Sequence, residues 1–271
     1  MNSNKKEREN FMDFDSDMII TIGTRIATDD KKVDQYIKDM VTQNDCEFIY
    51  MHPIDDVSLH NTYAQYIKYE AGSEEGVLAL LTSFLLSDTN TQYDEYLEDL
   101  DIGYLSGETS IGEEEFEDLV ENMKDKKNIT MIIGDDIIGH KHLTNIKNIL
   151  RLVSSYTNIN VIVLDKDITL ESTERIKLND VEDIQTYNGT VIYTAKSDED
   201  ILKGSSSFAM AAKIKDGDTV NIACADEVFE KRFQIDPTIR GTIALYPILS
   251  TDTKHPLQDQ YRFMQVKIQK V

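Results

Sequence analysis

Residues 17–55 read DMIITIGTRIATDDKKVDQYIKDMVTQNDCEFIYMHPID, and this stretch decides the fold. Its first part, Asp17-Met-Ile-Ile-Thr-Ile-Gly23, is a short apolar, β-branched run that stops at a glycine, as a buried parallel strand does. Thr28 stands where a helix N-cap is expected, with Asp29 and Asp30 favourable in the positive first turn. Val33, Tyr36, Ile37, Met40 and Val41 then recur at i, i+3, i+4, i+7 and i+8, one apolar stripe along a helix. Glu47-Phe-Ile-Tyr-Met51 reads as a second strand, closed by His52-Pro53. Strand, helix and strand in so short a span make a βαβ unit, whose crossover is right-handed almost without exception.

The same alternation continues outward. The spacing predicts a helical stretch around Asn61–Tyr69 and a clearer helix from Glu74, with Val77, Leu78, Leu80, Leu81, Phe84 and Leu85 inward. Phe116, Leu119, Val120 and Met123 mark another helix, and Asn128-Ile-Thr-Met-Ile-Ile-Gly134 repeats the apolar-run-then-glycine form of the first strand. Leu143, Ile146, Ile149, Leu150 and Val153 mark a further helix before a fourth strand, Ile159–Leu164. After about residue 182 short strands follow one another: Thr190–Thr194, Thr219–Cys224, Val228–Ile235, Thr242–Tyr246 and Tyr261–Val271. The expected fold class is therefore α/β, a Rossmann-like, mostly parallel sheet flanked by helices, followed by a small β-rich, barrel-like domain. The expected divisions are a polar N-terminal tail (1–15), the α/β domain (16–165), a linker (166–183) and the β-rich domain (184–271).

Charge and cysteine usage exclude several function classes. The chain of 271 residues carries a net charge of −22, which repels phosphate backbones and anionic lipid heads, so nucleic acid is not an expected partner. Residues 88–123 hold thirteen acids and no Lys or Arg; without them the deficit falls to nine, so one acidic insertion carries most of the imbalance. Such a run is ordinarily a solvated face, and its functional reading is a docking surface for a basic partner. No apolar run approaches the roughly 20 residues of a membrane span, and the basic, polar start reads as carrying no signal peptide. Cys46 and Cys224 are the only cysteines, too few for an iron–sulfur cluster or a Cys-rich zinc site, and they point to a reducing, cytoplasmic setting.

Candidate chemistry is sparse. The first βα turn, the natural ligand point of an open α/β sheet, reads Gly23-Thr24-Arg25-Ile26-Ala27-Thr28. It is neither Gly-x-Gly-x-x-Gly nor a P-loop, yet Gly23 lets a backbone pass close, Thr24 offers a hydroxyl and Arg25 could pair a phosphate or a local acid. Gly139-His140-Lys141-His142 holds two histidines at i and i+2, which do not face one another on a helix, so no metal site is expected. His52 and His60 stand apart from it, His52 shaping a strand end. Gly204-Ser205-Ser206-Ser207 is a polar loop rather than a nucleophile elbow, and both cysteines read as small core residues, so no catalytic residue is assigned.

Residues 17–55 also resemble the start of the nucleotide-binding-like α/β domain of molybdopterin oxidoreductases, where a strand ends in Gly-Thr and a second strand ends in a short Pro-containing turn. The similarity is strongest to the cofactor-free branch of that superfamily, the large iron–sulfur subunit of bacterial respiratory complex I, the NADH–quinone oxidoreductase. The runs YIKYEAGSEEGV (66–77), DIGYLSG (101–107) and GEEE (112–115) are similar to that family, and IKDGDTVNI (214–222) with IDPTIRGT (235–242) resembles the superfamily's β-barrel domain. The resemblance covers 16–165 well and 200–250 loosely.

In that family the iron–sulfur clusters sit on Cys-rich domains upstream of the similar region, so the resemblance implies a portion that carries no electrons. True molybdopterin enzymes supply a Cys, selenocysteine or Ser ligand and have an Asp-Pro-Arg-like turn where this chain has His52-Pro53-Ile54. Gly23, Thr24 and Pro53 are what remain of the ligand-contacting turns, so Gly23, Thr24 and Arg25 are the expected vestige of a cofactor site. No bound cluster or molybdopterin is expected. The implied partners are the other peripheral-arm subunits, without direct membrane insertion, at the inner face of the cytoplasmic membrane. Two other readings stay open: a nucleotide- or pterin-binding protein using the Gly23–Thr28 turn, and an acidic adaptor acting through 88–123.

Overall fold

The computed structural model describes residues 15–224, 227–249, 251, 255–258 and 260–271. The polar tail expected over 1–15 lies, Asp15 apart, outside the described residues. The chain divides into two compact units, the first running to Pro53 and taking in 58–137 and 141–184, the second made of 54–57, 138–140 and 185–271.

The first unit is built on five parallel strands, β1 (Met18–Ile22), β2 (Glu47–Met51), β3 (Gln65–Ile67), β4 (Ile129–Ile133) and β5 (Asn160–Val163), in the order β3-β2-β1-β4-β5. Every residue of β1 and β4 is buried, as the uninterrupted apolar runs require when both faces are covered. On one face Ile19, Phe48, Tyr50 and Ile132 pack with α2 (Lys31–Gln43), whose buried Val33, Tyr36, Ile37 and Met40 are the stripe read from sequence. A single helical turn, α1 (Ile26–Asp29), precedes it. On the other face Met18, Ile20, Ile22, Met51, Met131 and Ile133 pack with α3 (Glu74–Leu85), α5 (Ile102–Thr109), α6 (Glu113–Met123) and α7 (Leu143–Tyr156). The short α4 (Asp94–Asp99) lies between α3 and α5 in the chain.

Two expectations change here. Thr28 does not cap the long helix; its hydroxyl donates to Arg25 O within α1, while Asp30 caps α2 by accepting from the Lys32 and Val33 N–H groups at 3.0 and 3.2 Å. The stretch 61–69 is not helical. Tyr63 and Tyr66 stack on Tyr50 of β2, and Gln65–Ile67 pairs with that strand, so cross-strand ring contacts override the helical spacing. In the acidic insertion, 88–123, Leu105, Ile111, Phe116, Leu119 and Met123 are core residues, while Glu113, Glu114, Glu117, Asp118 and Glu121 face outward as a solvated face does.

The stretch read as a linker, 166–183, has neither helix nor strand, yet it belongs with the first unit. Ile168, Leu170, Leu178, Val181 and Ile184 lie against the core there.

The second unit is a curled seven-stranded mixed sheet: β6 (Val191–Ser197), β7 (Ile201–Gly204), β8 (Thr219–Cys224), β9 (Glu227–Ile235), β10 (Ile243–Leu249), β11 (Phe263–Gln265) and β12 (Lys267–Lys270), ordered β11-β6-β10-β7-β9-β8-β12. The two edge strands are successive pieces of one chain segment broken only at Val266, so the sheet curls until 263–270 joins both margins. Helix α8 (Ser206–Ala212) buries Phe208 on Phe233 within the curl. Residues 185–271 carry eleven bases and eleven acids, so the whole net negative charge lies upstream of them.

Candidate functional site

In the β3-β2-β1-β4-β5 order the chain runs outward from β1 to one side and then returns to begin again at β4. The crevice beyond the ends of β1 and β4 is therefore the switch point where open α/β sheets hold ligands. Ile22 is in register with Ile133, which sets Gly23 beside Gly134. The two turns are laced together: Gly134 N–H donates to Ile22 O at 2.9 Å, and Asp136 N–H donates to Gly23 O at 3.0 Å. Gly23 adopts φ +69°, open to glycine at little cost. A Cβ on Gly134 would stand 2.2 Å from Thr24 Cβ and 2.3 Å from Gly23 O, so only glycine lets the turns approach this closely.

The Thr24 hydroxyl and the Arg25 backbone amide of the first turn are satisfied internally. Asp29 Oδ2 accepts from the Arg25 backbone N–H at 2.9 Å and from the Thr24 hydroxyl at 3.2 Å. Thr24 is fully buried. A carboxylate of the chain thus takes the hydroxyl and amide that a ligand phosphate would need, and Asp30 takes the first amides of α2 in the same way. Gly23, Thr24 and Arg25, the residues expected at a vestigial cofactor site, do lie together at the switch point. In this arrangement the Thr24 hydroxyl and the Arg25 backbone amide are both taken by Asp29.

Three further side chains close the crevice. His52, at the end of β2, and Asp136, after β4, are both fully sealed from solvent, with Nε2 and Oδ2 2.9 Å apart. The imidazole stacks on Tyr50, ring centroids 5.8 Å apart and planes inclined by 14°, and the His52 carbonyl accepts from the Tyr66 hydroxyl at 2.9 Å. Tyr69 is also fully buried, and its hydroxyl has no hydrogen-bond partner among the described residues. Burial first, then the nearby Glu74 and Asp136 carboxyl groups, push the phenol well above the usual tyrosine range. Its oxygen lies 3.9 Å from where a Cβ on Gly23 would stand. An imidazole–carboxylate pair so enclosed braces the ends of β2 and β4.

The remaining candidates are structural. His142 pairs with Glu75, whereas His140 packs edge-on against Tyr261 with centroids 5.4 Å apart. Among the described residues no group of three or more His, Cys, Asp and Glu side chains is placed to hold a metal ion. Ser205 caps α8 by accepting from Phe208 N–H at 2.9 Å. Burial pushes the Cys46 thiol up to about 12 and raises that of Cys224, so neither is a ready thiolate nucleophile. Among the described residues no helix is long and apolar enough to cross a membrane.

Sequence reasoning does not single out Asp136 or Tyr69. The one local signal is the strand ending Gly134-Asp135-Asp136, a second glycine-terminated run that mirrors Gly23. In comparisons with known proteins, no family model and no curated protein matches this chain.

Proposed function

We propose that this chain is a structural and interaction module of the peripheral arm of an NADH–quinone oxidoreductase, a cofactor-free relative of molybdopterin oxidoreductases that does not itself carry electrons. The observation that carries the reading is the switch-point turn, where Asp29 takes the Arg25 amide and the Thr24 hydroxyl for itself. A nucleotide- or pterin-binding relative would keep those donors for its ligand. The filled crevice of His52, Asp136 and Tyr69 supports the same reading, as do the runs at 66–77 and 101–115 that resemble the complex I family. Partner subunits would meet the acidic outer side of α6 and its neighbours, a single-sign surface suited to a basic counterpart.

The test is co-purification of a tagged full chain from cells that carry complex I. Recovery with the NADH-oxidising and quinone-side subunits, and no iron or molybdenum bound to the isolated chain, is expected. A chain that never associates with them, or one that carries a cluster or pterin, overturns the proposal. A thermal-shift series with nucleotides and pterins separates the competing reading: that reading expects saturating ligand to raise Tm and Arg25→Ala to abolish the rise.

A further inference from the structure

Residues 169–184 form a long irregular run within a compact unit, and such runs are ordinarily functional segments or linkers rather than packed structure. Among the described residues this one makes no backbone–backbone hydrogen bond. It is held instead by side chains, most of them from one side of α7. Asn145 grips Asn179 twice, donating to its carbonyl at 3.0 Å and accepting from its N–H at 2.9 Å. Asn148 donates to Lys177 O at 2.7 Å, and Arg151 donates to Ser172 O at 3.3 Å and Glu174 O at 2.6 Å. Arg151 is itself steadied by Asn148 Oδ1 at 3.1 Å. Ascending α7, the contacts descend the strap, so the two run antiparallel.

Beneath the strap lies a small apolar cluster, Leu86, Tyr93 and Leu152, apart from the main core and capped by Ile176 and Leu178. These caps are only half-buried, while Ser172, Glu174, Arg175, Lys177 and Asn179 are exposed. Val181 and Ile184 anchor the far end of the run in the main core. Over 169–179, however, the few fully buried apolar side chains, the missing backbone ladder and the largely solvent-facing polar bonds are the physical marks of a segment that opens well below the free energy of global unfolding.

We propose that residues 169–179 are a latched strap, held on α7 by Asn145, Asn148 and Arg151, that comes away as a unit while the parallel sheet and the Val181 and Ile184 anchor stay folded. Release uncovers the Leu86–Tyr93–Leu152 strip. The latch does not depend on the proposed complex I role.

Limited trypsin digestion of the full chain, read by mass spectrometry, tests it at the exposed Arg175 and Lys177. Cleavage there is expected in native buffer at a rate nearly independent of low urea, since the opening is local. Arg151→Ala, which removes two latch bonds, should speed that cleavage about tenfold, and Asn148→Ala about threefold, with hydrogen exchange in β1 and β4 unchanged. Cleavage that rises with urea in step with global unfolding overturns the proposal. So does an unchanged rate in Arg151→Ala or, should that variant not fold, in Asn148→Ala.

Discussion

His52 Nε2 and Asp136 Oδ2 meet at 2.9 Å across the end of β1, joining the strands on either side of it in a contact closed to solvent. Eighty-four positions separate the two in sequence. Removing one partner leaves the other buried without its mate, so His52→Ala should cost about 3–5 kcal/mol in urea denaturation. The double replacement His52→Leu with Asp136→Leu should cost less than the sum of the singles. Additive losses would show that the pair is not a coupled unit.

Gly134→Ala should leave the chain unable to fold, or destabilised by about 3 kcal/mol or more, because the new methyl meets the backbone of Gly23 and the Cβ of Thr24. Gly107 offers the contrasting case. It lies within α5 with open space where a Cβ would go, so Gly107→Ala should stabilise by about 0.5–1 kcal/mol. Thermal unfolding of the two variants side by side checks both signs.

Two tyrosine hydroxyls should behave oppositely. Tyr66→Phe removes a bond to His52 O and should cost about 1 kcal/mol. Tyr69→Phe removes a buried hydroxyl that lacks a partner among the described residues, and should be neutral or mildly stabilising. A Tyr69→Phe variant as unstable as Tyr66→Phe would mean that the Tyr69 hydroxyl is bonded after all.

Alkaline pH should weaken the fold through buried acids whose neutral form the native state prefers. The Cys46 thiol ionises near 9.0 when free and near 12 in the fold, so its contribution is complete below pH 9 and is lost as pH rises toward 12. Across that window the loss approaches about 1.4 kcal/mol per pH unit. Cys46→Ala should flatten the slope of stability between pH 9 and 11, measured by urea titration. An unaltered slope would assign the loss to other groups, Tyr69 first among them, since its phenol is raised in the same sense.

Asp29→Ala should cost about 1 kcal/mol, the usual magnitude for a lost capping carboxylate, and so should Asp30→Ala at the start of α2. The first substitution also bears on the turn itself. Binding of inorganic phosphate by Asp29→Ala but not by the native chain, read by phosphorus NMR, would identify Asp29 as the group that excludes anions there.

The α/β core is legible in the sequence because its rules are local. Met18–Ile22 and Ile129–Ile133 are uninterrupted apolar runs, and the Val33-to-Met40 stripe fixes the α2 face. What escapes is short or non-local. Gln65–Ile67 and Ile201–Gly204 hold too few residues to show an alternation, and the ring spacing of Tyr63 and Tyr66 mimics a helix. Gly23 and Thr24 can be placed at the switch point because a strand-ending glycine marks it. Asp136 cannot, because its role depends on a histidine from a different strand.

The curled sheet of the second unit also constrains how the molecule is made. Phe263–Gln265 hydrogen-bonds to β6 and Lys267–Lys270 to β8, so one stretch fastens both margins. During synthesis the β6 margin stays open until Gln265 has cleared the ribosome, and the β8 margin until Lys270 has. Until then two rows of unsatisfied amides face outward, the kind of template on which other chains aggregate. The strands and helices of the first unit all precede that stretch in the chain, so the second unit is the one that depends on synthesis through residue 270 to become safe.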